Sequence, residues 1–231
     1  MPKITICLSH YCQPLMLAHQ LSVIESYSPQ VRNQLELIIV DDCSPVHPLI
    51  PRKLNVSARF FRTKVDVQWN WQFCRNLAAG AASGEFLFMT DLDHVIPEKT
   101  LVELLECWAS QDCIYRFTRV QHPTMKPNRP HKNTWFMAKK KFIEIGGHDE
   151  RFAGTYGNDD EILDRMDLSK IKMLNLEVIR MDADSIADAK VNLPRQSEQN
   201  SLMIKKIHEM RKEVPNWQPW VCTYPFEEIF A

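Results

Sequence analysis

Glycine is scarce in this sequence of 231 residues, which contains only six. Four of them nevertheless fall close together, at Gly146, Gly147, Gly154 and Gly157. Because glycine adopts positive φ at little steric cost, the cluster predicts a loop of unusual backbone geometry, which is more common at a functional site than in a plain connection. Two adjacent turns are the simpler alternative.

The cysteines show no pattern of a disulfide framework or a metal site. They form no CxxC pair and no cluster with histidine at the spacing of a zinc site. Their odd number and scattered positions indicate reduced thiols in a cytoplasmic protein. The seven cysteines occupy positions 7, 12, 43, 74, 107, 113 and 222.

Long apolar runs are also missing. No run reaches the roughly 18 residues of a transmembrane helix, and Met1-Pro2-Lys3 leads directly into a strand-like segment rather than a secretory h-region. We therefore expect a soluble protein that is not exported and has no transmembrane segment.

Neither sign of charge dominates, since 28 Lys+Arg residues balance 29 Asp+Glu residues. A net charge near −1 gives no overall field that would draw the protein to nucleic acid or to an anionic membrane, so no nucleic-acid partner is expected. The hydrophobic fraction of 45% suits one globular domain with a sizeable core over residues 1–231.

Strand and helix patterns alternate over the first 110 residues. This alternation predicts a doubly wound α/β sheet, whose ligands bind outside the carboxyl ends of the strands. The predicted strands are 4–8, 35–40, 59–62 and 85–89, and the predicted helices are 14–27, 69–82 and 98–109.

The second half of the chain has a different pattern, and its tail carries Trp217 and Trp220 between prolines. These two aromatics either pack on the domain or form part of an acceptor platform. The predicted strands are 113–119, 135–138 and 173–181, the predicted helices are 159–168 and 197–213, and a Pro/His-rich loop spans 121–133.

Two acidic pairs directly follow predicted strands. Asp41 and Asp42 follow strand 35–40, and Asp91 and Asp93 follow strand 85–89 by way of Thr90. Carboxylates at the ends of parallel strands face the ligand crevice, where they can bind a hard divalent ion together with phosphate oxygens. The alternatives are ordinary turns, before Ser44-Pro45 for the first pair and before Pro97 for the second.

A third acidic group, Asp159-Asp160-Glu161, begins a predicted helix just after Gly157. Capping of that helix is one explanation, because carboxylates stabilise a helix N-terminus. One cap needs only one carboxylate, however, so the group is better explained as a loop that presents an acid or base to a ligand.

Two histidines adjoin acidic residues, His94 beside Asp93 and His148 beside Asp149. Adjacent side chains on a loop point apart, so we expect these histidines to be solvated or to contact sugar rather than to bind metal. For Trp69 and Trp71, core packing at the start of a helix is preferred over sugar stacking.

Over about residues 3–165 the motifs resemble, in the same order, the family 2-type glycosyltransferases of the GT-A fold and their relatives that transfer galactose or N-acetylgalactosamine. The segments that carry this resemblance are Asp41-Asp42-Cys-Ser, Arg75-Asn76, Ser-Gly-Glu-Phe-Leu-Phe-Met-Thr-Asp91-Leu-Asp93, Gly146-Gly147-His-Asp149-Glu150 and Tyr156-Gly157-Asn-Asp159-Asp160.

The resemblance implies a GT-A domain with a Rossmann-like, mixed but mainly parallel sheet. Residues 1–110 would form its nucleotide-binding half, and residues 111–231 its acceptor-binding and catalytic half with the tail. The implied activity is metal-dependent transfer of a sugar, with inversion, from a UDP-sugar to a hydroxyl of a saccharide or other acceptor. The implied cofactor is Mn²⁺ or Mg²⁺.

The resemblance also implies roles for single residues. Asp93 would ligate the metal, Asp91 would contact the metal-bound diphosphate or ribose, and Asp160 would be the general base. The remaining donor-binding residues would be Ser9 and Asp42 at uracil and ribose, Arg75 near the nucleotide, and Asp149 with Glu150 at the donor sugar and acceptor pocket.

The sequence departs from the family pattern in two places that matter for chemistry. The acidic pair is Asp159-Asp160 rather than Glu-Asp, which leaves either residue as the base. The segment where many relatives have a metal-binding histidine has none, so Asp182, Asp184 or water would provide the third metal ligand.

Two other functions remain open from the sequence. A nucleotidyltransferase also uses carboxylates and a metal, but it normally carries a Gly-rich phosphate loop near its first strand, and residues 1–34 contain no glycine. A non-catalytic, carbohydrate-binding module of transferase-like fold would be distinguished by the absence of UDP release.

Overall fold

The computed structural model describes residues 3–51, 53–106, 110–191, 193, 197–214 and 224–230. Within them, ten strands form one sheet. The strands are β1 (Ile4–His10), β2 (Leu35–Asp41), β3 (Ser57–Thr63), β4 (Phe86–Asp91), β5 (His94–Val95), β6 (Ile114–Gln121), β7 (Lys126–Asn128), β8 (Trp135–Ala138), β9 (Ile171–Arg180) and β10 (Phe226–Phe230). The helices are α1 (Pro14–Ser26), α2 (Pro29–Arg32), α3 (Trp71–Ala81), α4 (Glu98–Leu105), α5 (Lys139–Glu144), α6 (Glu161–Asp164) and α7 (Ser197–Glu213), with short 3₁₀ turns at Glu150–Phe152 and Leu168–Lys170.

The strand order across the sheet is β10-β3-β2-β1-β4-β8-β6-β9-β5, with β7 beside β6. The neighbouring strands β3, β2, β1 and β4 are parallel, whereas β8 and β10 pair antiparallel with their neighbours. The predicted α/β class with a mixed, mainly parallel central sheet is therefore confirmed. Whether residues 1–231 form a single domain stays a prediction.

The central strands are buried on both faces, which explains their nearly continuous apolar runs. Every residue of β2 is buried. Ile6 and Leu8 of β1 pack into the core that contains α1 and α4, while Cys7 points to the other face and packs against Cys74 and other residues of α3. The alternation of side chains along a strand thus supplies both layers.

The glycine loop has the unusual backbone that its composition predicts. All four clustered glycines adopt positive φ. At Gly147, whose φ is +68°, an added Cβ would lie 2.6 Å from Asn76 Oδ1. That oxygen accepts the backbone N–H of His148 at 2.8 Å, so Gly147 permits a close contact between the loop and α3.

Several elements differ from the sequence predictions. The helix predicted over 159–168 is the single turn α6, which ends at Asp164, and a separate 3₁₀ turn begins where the Asp167 side chain accepts the Ser169 N–H at 2.8 Å. Strand β7 lies inside the segment predicted as a loop, and β10 was not predicted. Trp217 and Trp220 lie outside the described residues.

Five cysteines in the described part of the chain are free thiols, namely Cys7, Cys12, Cys43, Cys74 and Cys113. Cys107 and Cys222 lie outside that part. Among the helices that the structure describes, none combines the length and the apolar character that a bilayer crossing requires.

Candidate functional site

A cleft of about 280 Å³ lies where β1 and β4 end and the chain leaves β2. Ser9 on β1 and Asp91 on β4 occupy paired positions of adjacent parallel strands. Asp42, Asp93 and Asp159 also line this cleft. The structure therefore brings residues of all three acidic groups to one place, as the strand-end positions of the first two groups predict.

Two buried polar atoms are available at the β1–β2 end of the cleft. Ser9 Oγ and Asp42 Oδ1 have no hydrogen-bond partner among the described residues. Asp42 Oδ2 accepts the Asn70 N–H at 3.2 Å. Burial raises the pKa of Asp42 to about 7, despite that hydrogen bond. Such buried, unpaired atoms need a partner, and a bound ligand can supply it.

Asp41, the neighbour of Asp42, has a structural role instead. It is buried, and its Oδ1 lies 2.7 Å from His10 Nδ1 and accepts the Ser44 hydroxyl at 2.5 Å. Arg62 also donates to Asp41. The alternative of an ordinary turn therefore applies to Asp41, whereas Asp42 faces the cleft.

Asp91 forms an ion pair with a buried arginine. Arg75, whose side chain is 1% exposed, donates from Nη2 to Asp91 Oδ1 at 2.5 Å and from Nη1 to the Asn133 carbonyl at 2.7 Å. The guanidinium carbon also lies 5.1 Å from the centre of the Trp71 ring. Arg75 is not part of the cleft wall, so it orients Asp91 rather than facing a ligand.

Asp93 lines the cleft, but both of its oxygens are engaged. Oδ1 lies 2.6 Å from His94 Nδ1, and Oδ2 lies 3.4 Å from Arg180 Nε. Burial opposes ionisation, but the hydrogen bond with His94 and the nearby Arg180 hold the pKa of Asp93 below its ordinary value. Its side chain is 18% exposed. Direct metal binding by Asp93, as the sequence resemblance implies, would therefore require it to give up at least one of these two contacts.

The two histidines expected to be solvated or at the sugar are both buried. His148 packs against the rings of Trp71, Trp135 and Phe142. His94 is the first residue of strand β5 and lines the cleft, where its ring stacks on His131 with centroids 4.4 Å apart. A strand fixes the direction of each side chain, so His94 does not turn to solvent as a loop residue would.

Three cleft side chains that carry metal-ligating groups lie close together. Asp91, His94 and His131 each offer one ligand atom, and these atoms all lie within 4.8 Å of one another. Burial lowers the pKa of His131 to about 4, so this imidazole is neutral near pH 7, as metal binding requires. Imidazole and carboxylate together fit a divalent transition metal.

Asp159 and Asp160 face different surroundings. Asp159 lines the cleft and accepts the Asn133 amide at 3.0 Å. Burial, followed by the nearby charge of Asp91, raises the pKa of Asp159. Asp160 is 38% exposed, is paired with Lys132 and does not line the cleft. Of the two predicted candidate bases, only Asp159 is placed at the cleft.

Asp149 and Glu150 do not line the cleft, although the resemblance implies contacts with sugar and acceptor. Asp149 is 0% exposed and accepts from Arg151 at 2.8 Å and from Arg211 at 2.9 Å. Glu150 is buried and accepts the Asn76 amide at 2.6 Å. Ion pairs and hydrogen bonds to α3 and α7 thus draw both carboxylates into the interior.

Asp182 and Asp184, the proposed substitutes for a third metal ligand, also lie off the cleft wall. Asp182 accepts the backbone N–H and the hydroxyl of Ser185 and the side-chain amide of Gln121. Asp184 is exposed. His131 instead completes the three-residue group, from within the segment that the sequence indicated only as a Pro/His-rich loop.

Two arginines of the cleft were not expected from the sequence. Arg119 on β6 and Arg180 on β9 both line it. Within the described part of the chain the Arg119 side chain makes no ion pair and its buried Nε has no hydrogen-bond partner, and burial, followed by the charge of Arg180, lowers its pKa. The only feature of the sequence that could have identified these arginines is their position near the carboxyl ends of two strands.

The aromatic rings of Trp69 and Tyr156 form another part of the cleft wall, with centroids 4.8 Å apart. Trp71 lines it as well. Both tryptophans are half-buried, and Trp71 also packs against the buried His148 ring, as the preference for core packing expects. Aromatic faces beside carboxylates suit the binding of a base or a sugar ring.

The architecture is that of the GT-A glycosyltransferases. Solved structures of S. aureus TarS are similar to the chain over most of its length. The complex of TarS 1–349 with UDP-GlcNAc has a TM-score of 0.60 and 11% sequence identity, over 91% of this chain and 73% of TarS 1–349. A second structure of TarS 1–349 gives 0.61 and 14%, over 91% and 72%, and a structure of TarS gives 0.61 and 12%, over 93% and 44%.

At these identities the similarity establishes the fold. No protein-family model and no curated protein matches the sequence. The galactosyl- or N-acetylgalactosaminyl-type motif stays a prediction.

Proposed function

We propose that this protein is a glycosyltransferase that moves a sugar from a UDP-sugar donor to a hydroxyl group of a saccharide or other acceptor. The observation that carries the proposal is the meeting of Asp42, Asp91 and Asp159 in one cleft of a GT-A fold. The UDP-GlcNAc bound to TarS, whose fold is similar, supports a UDP-sugar as the donor.

The uridine would bind at the β1–β2 end of the cleft. Ser9 Oγ and Asp42 Oδ1 are buried there without partners and are suited to hydrogen bonds with ribose hydroxyls and the uracil ring. The rings of Trp69 and Tyr156 offer an apolar face to the base or the sugar. The nucleoside would thereby satisfy groups that otherwise stay unpaired.

The diphosphate would lie beside Asp91. On one side of it would be the candidate metal ligands, and on the other Arg119 and Arg180. A bound divalent ion would offset the negative charge that develops on the departing UDP. Arg119, which has no described partner, and Arg180 would donate hydrogen bonds to phosphate oxygens. The low-dielectric cleft would strengthen these contacts.

Asp159 would act as the general base. Its carboxylate would take the proton from the acceptor hydroxyl as that oxygen forms a bond to the anomeric carbon, while the bond from this carbon to the UDP oxygen breaks. A single displacement of this kind inverts the anomeric configuration. The raised pKa of Asp159 favours proton uptake, and its position on the cleft wall makes it preferable to Asp160.

Measurement of UDP release tests the proposed function. The protein is incubated with UDP-GlcNAc, UDP-galactose and UDP-N-acetylgalactosamine, with Mn²⁺, with Mg²⁺ and after chelation, and UDP is quantified. Release from at least one donor is expected, with the Asp91→Ala variant inactive. Binding of UDP-sugars, seen as a raised melting temperature, without any release would instead indicate a non-catalytic module.

A further inference from the structure

Two imidazoles in the cleft are held in the same manner. Nδ1 of His94 lies 2.6 Å from Asp93 Oδ1, and Nδ1 of His131 lies 3.1 Å from Thr134 Oγ1. Because an oxygen engages each Nδ1, Nε2 is the ring nitrogen that remains available for another partner. Metal-binding histidines in proteins are typically held by this kind of hydrogen bond on their second nitrogen.

The available nitrogen of His94 has no partner. The residue is 1% exposed, and its Nε2 makes no hydrogen bond within the described residues. His131 Nε2 lies 3.5 Å from Asp91 Oδ2. The other oxygen of Asp91 is taken by Arg75, so the atoms left over are two imidazole nitrogens and one carboxylate oxygen.

We propose that Asp91, His94 and His131 bind one divalent transition-metal ion, and that Asp93 does not touch the ion but holds His94 in position. The use of the ion in catalysis rests on the proposed function, whereas its binding is a separate property. Atoms that share an ion with bonds of about 2.1 Å lie roughly 3 to 4 Å apart. One ligand atom of each residue already lies within 4.8 Å of the others, and the stacked rings of His94 and His131 must rotate so that their nitrogens converge on the ion.

This arrangement reverses the assignment that the Asp-x-Asp spacing suggests. Asp93 already accepts from His94 and Arg180, and moving either oxygen to a metal would break one of these contacts. Keeping Asp93 where it is preserves both, and a carboxylate on Nδ1 makes His94 Nε2 a better electron donor to the ion. Asp93 is therefore a positioning residue.

The chemistry of the ligands selects the class of ion. Two imidazoles and one carboxylate suit Mn²⁺, Co²⁺ or Zn²⁺, whereas Mg²⁺ prefers oxygen ligands and keeps most of its water. Three protein ligands leave further coordination positions open on the ion. Oxygen atoms of a diphosphate would suit those positions, and Arg119, which lines the same cleft, would donate to the same group.

Titration of the metal-free protein with Co²⁺ and Mn²⁺, without nucleotide, tests the inference. Co²⁺ binding is followed by visible absorption, and affinities for Mn²⁺ and Mg²⁺ are measured by calorimetry. One ion per chain is expected, with Mn²⁺ binding at least tenfold tighter than Mg²⁺. The His131→Ala variant should lose at least tenfold in affinity, and His47→Ala, which removes an exposed histidine, serves as the control.

The role of Asp93 is separated by two variants. Asp93→Asn keeps an oxygen that accepts from His94 Nδ1, so its metal affinity should stay within about threefold of wild type, whereas Asp93→Ala should lose about 10- to 100-fold. If Asp93 were a ligand, Asp93→Asn would lose as much as Asp93→Ala. Circular dichroism confirms that each variant is folded.

Absence of Co²⁺ absorption, or unchanged affinity in folded His131→Ala, would overturn the inference. UDP release with unchanged metal affinity in His131→Ala would leave the proposed function intact and remove the metal site. Specific Co²⁺ binding without UDP release would support the metal site and contradict the proposed function.

Discussion

Arg211 Nη2 lies 2.9 Å from Asp149 Oδ2 and joins helix α7 to the glycine-rich loop across 62 residues of sequence. The same nitrogen lies 2.7 Å from Glu161 Oε1. Arg151 and Arg165 also donate to these two carboxylates. The acidic residues that look like site residues in the sequence thus form a buried ion-pair network that anchors the loop carrying Asp159.

Replacement of Arg211 by alanine should destabilise the protein. The substitution leaves the buried carboxylates of Asp149 and Glu161 with one arginine each. Removal of one partner from a buried ion pair costs about 3 kcal/mol of unfolding free energy. Urea denaturation measures the loss in unfolding free energy. Lys205→Ala removes an exposed cation of the same helix and should change it by less than about 0.5 kcal/mol. Equal losses of unfolding free energy in Arg211→Ala and Lys205→Ala would show that the ion-pair network does not anchor α7.

Asp42→Asn should make the protein more stable at neutral and alkaline pH. The folded-state pKa of about 7 lies above the unfolded-state value, so the folded state binds the proton more tightly, and wild type loses stability as the pH rises towards 7. The variant has no such loss. Its advantage should reach about 1 to 4 kcal/mol near pH 8 and become small near pH 4.

Parallel denaturation of wild type and Asp42→Asn at several pH values measures this difference directly. The comparison cancels the titration of other groups, which both proteins share. A pH-independent difference would mean that Asp42 keeps an ordinary pKa in the folded protein.

Arg119→Ala should weaken the binding of UDP but not that of uridine. The guanidinium has no described partner and faces the region assigned to the diphosphate, so its loss should reduce UDP affinity by about tenfold, which equals about 1.4 kcal/mol. Calorimetry with both ligands provides the measurement. Arg129→Ala, on the exposed neighbouring loop, is the matched control. Parallel losses for UDP and uridine would contradict contact with phosphate.

Much of the fold was predictable because local patterns reflect burial. The apolar run 35–40 became β2, which is buried along its whole length, and the Ala-rich segment 69–82 became α3. Strand β10 was missed because its pairing with β3 joins residues far apart in the sequence, such as Arg59 and Glu228 at a separation of 169 positions, and no local pattern indicates such a contact. The length of helix α6 was overestimated, and the side-chain hydrogen bond of Asp167 starts a separate 3₁₀ turn within the segment predicted as helix.

Some residues of the site could likewise be predicted from local sequence, and others could not. The places of Asp42 and Asp91 in the cleft were predictable because strand ends fix them, and Ser9 followed from the family resemblance. The inward turn of Asp149 was not, because it depends on Arg211 far along the chain. His131 gave no more signal than any histidine in a loop, since its neighbour His94 is reached only through folding.

The most direct test of the proposed function compares Asp159→Asn with Asp160→Asn in the UDP-release assay. If Asp159 is the base, its variant should bind UDP normally but lose about 10²- to 10⁴-fold in kcat, while Asp160→Asn, which removes only the contact with Lys132, should stay within a few-fold of wild type. Full turnover in Asp159→Asn, or a comparable loss in Asp160→Asn alone, would contradict the mechanism.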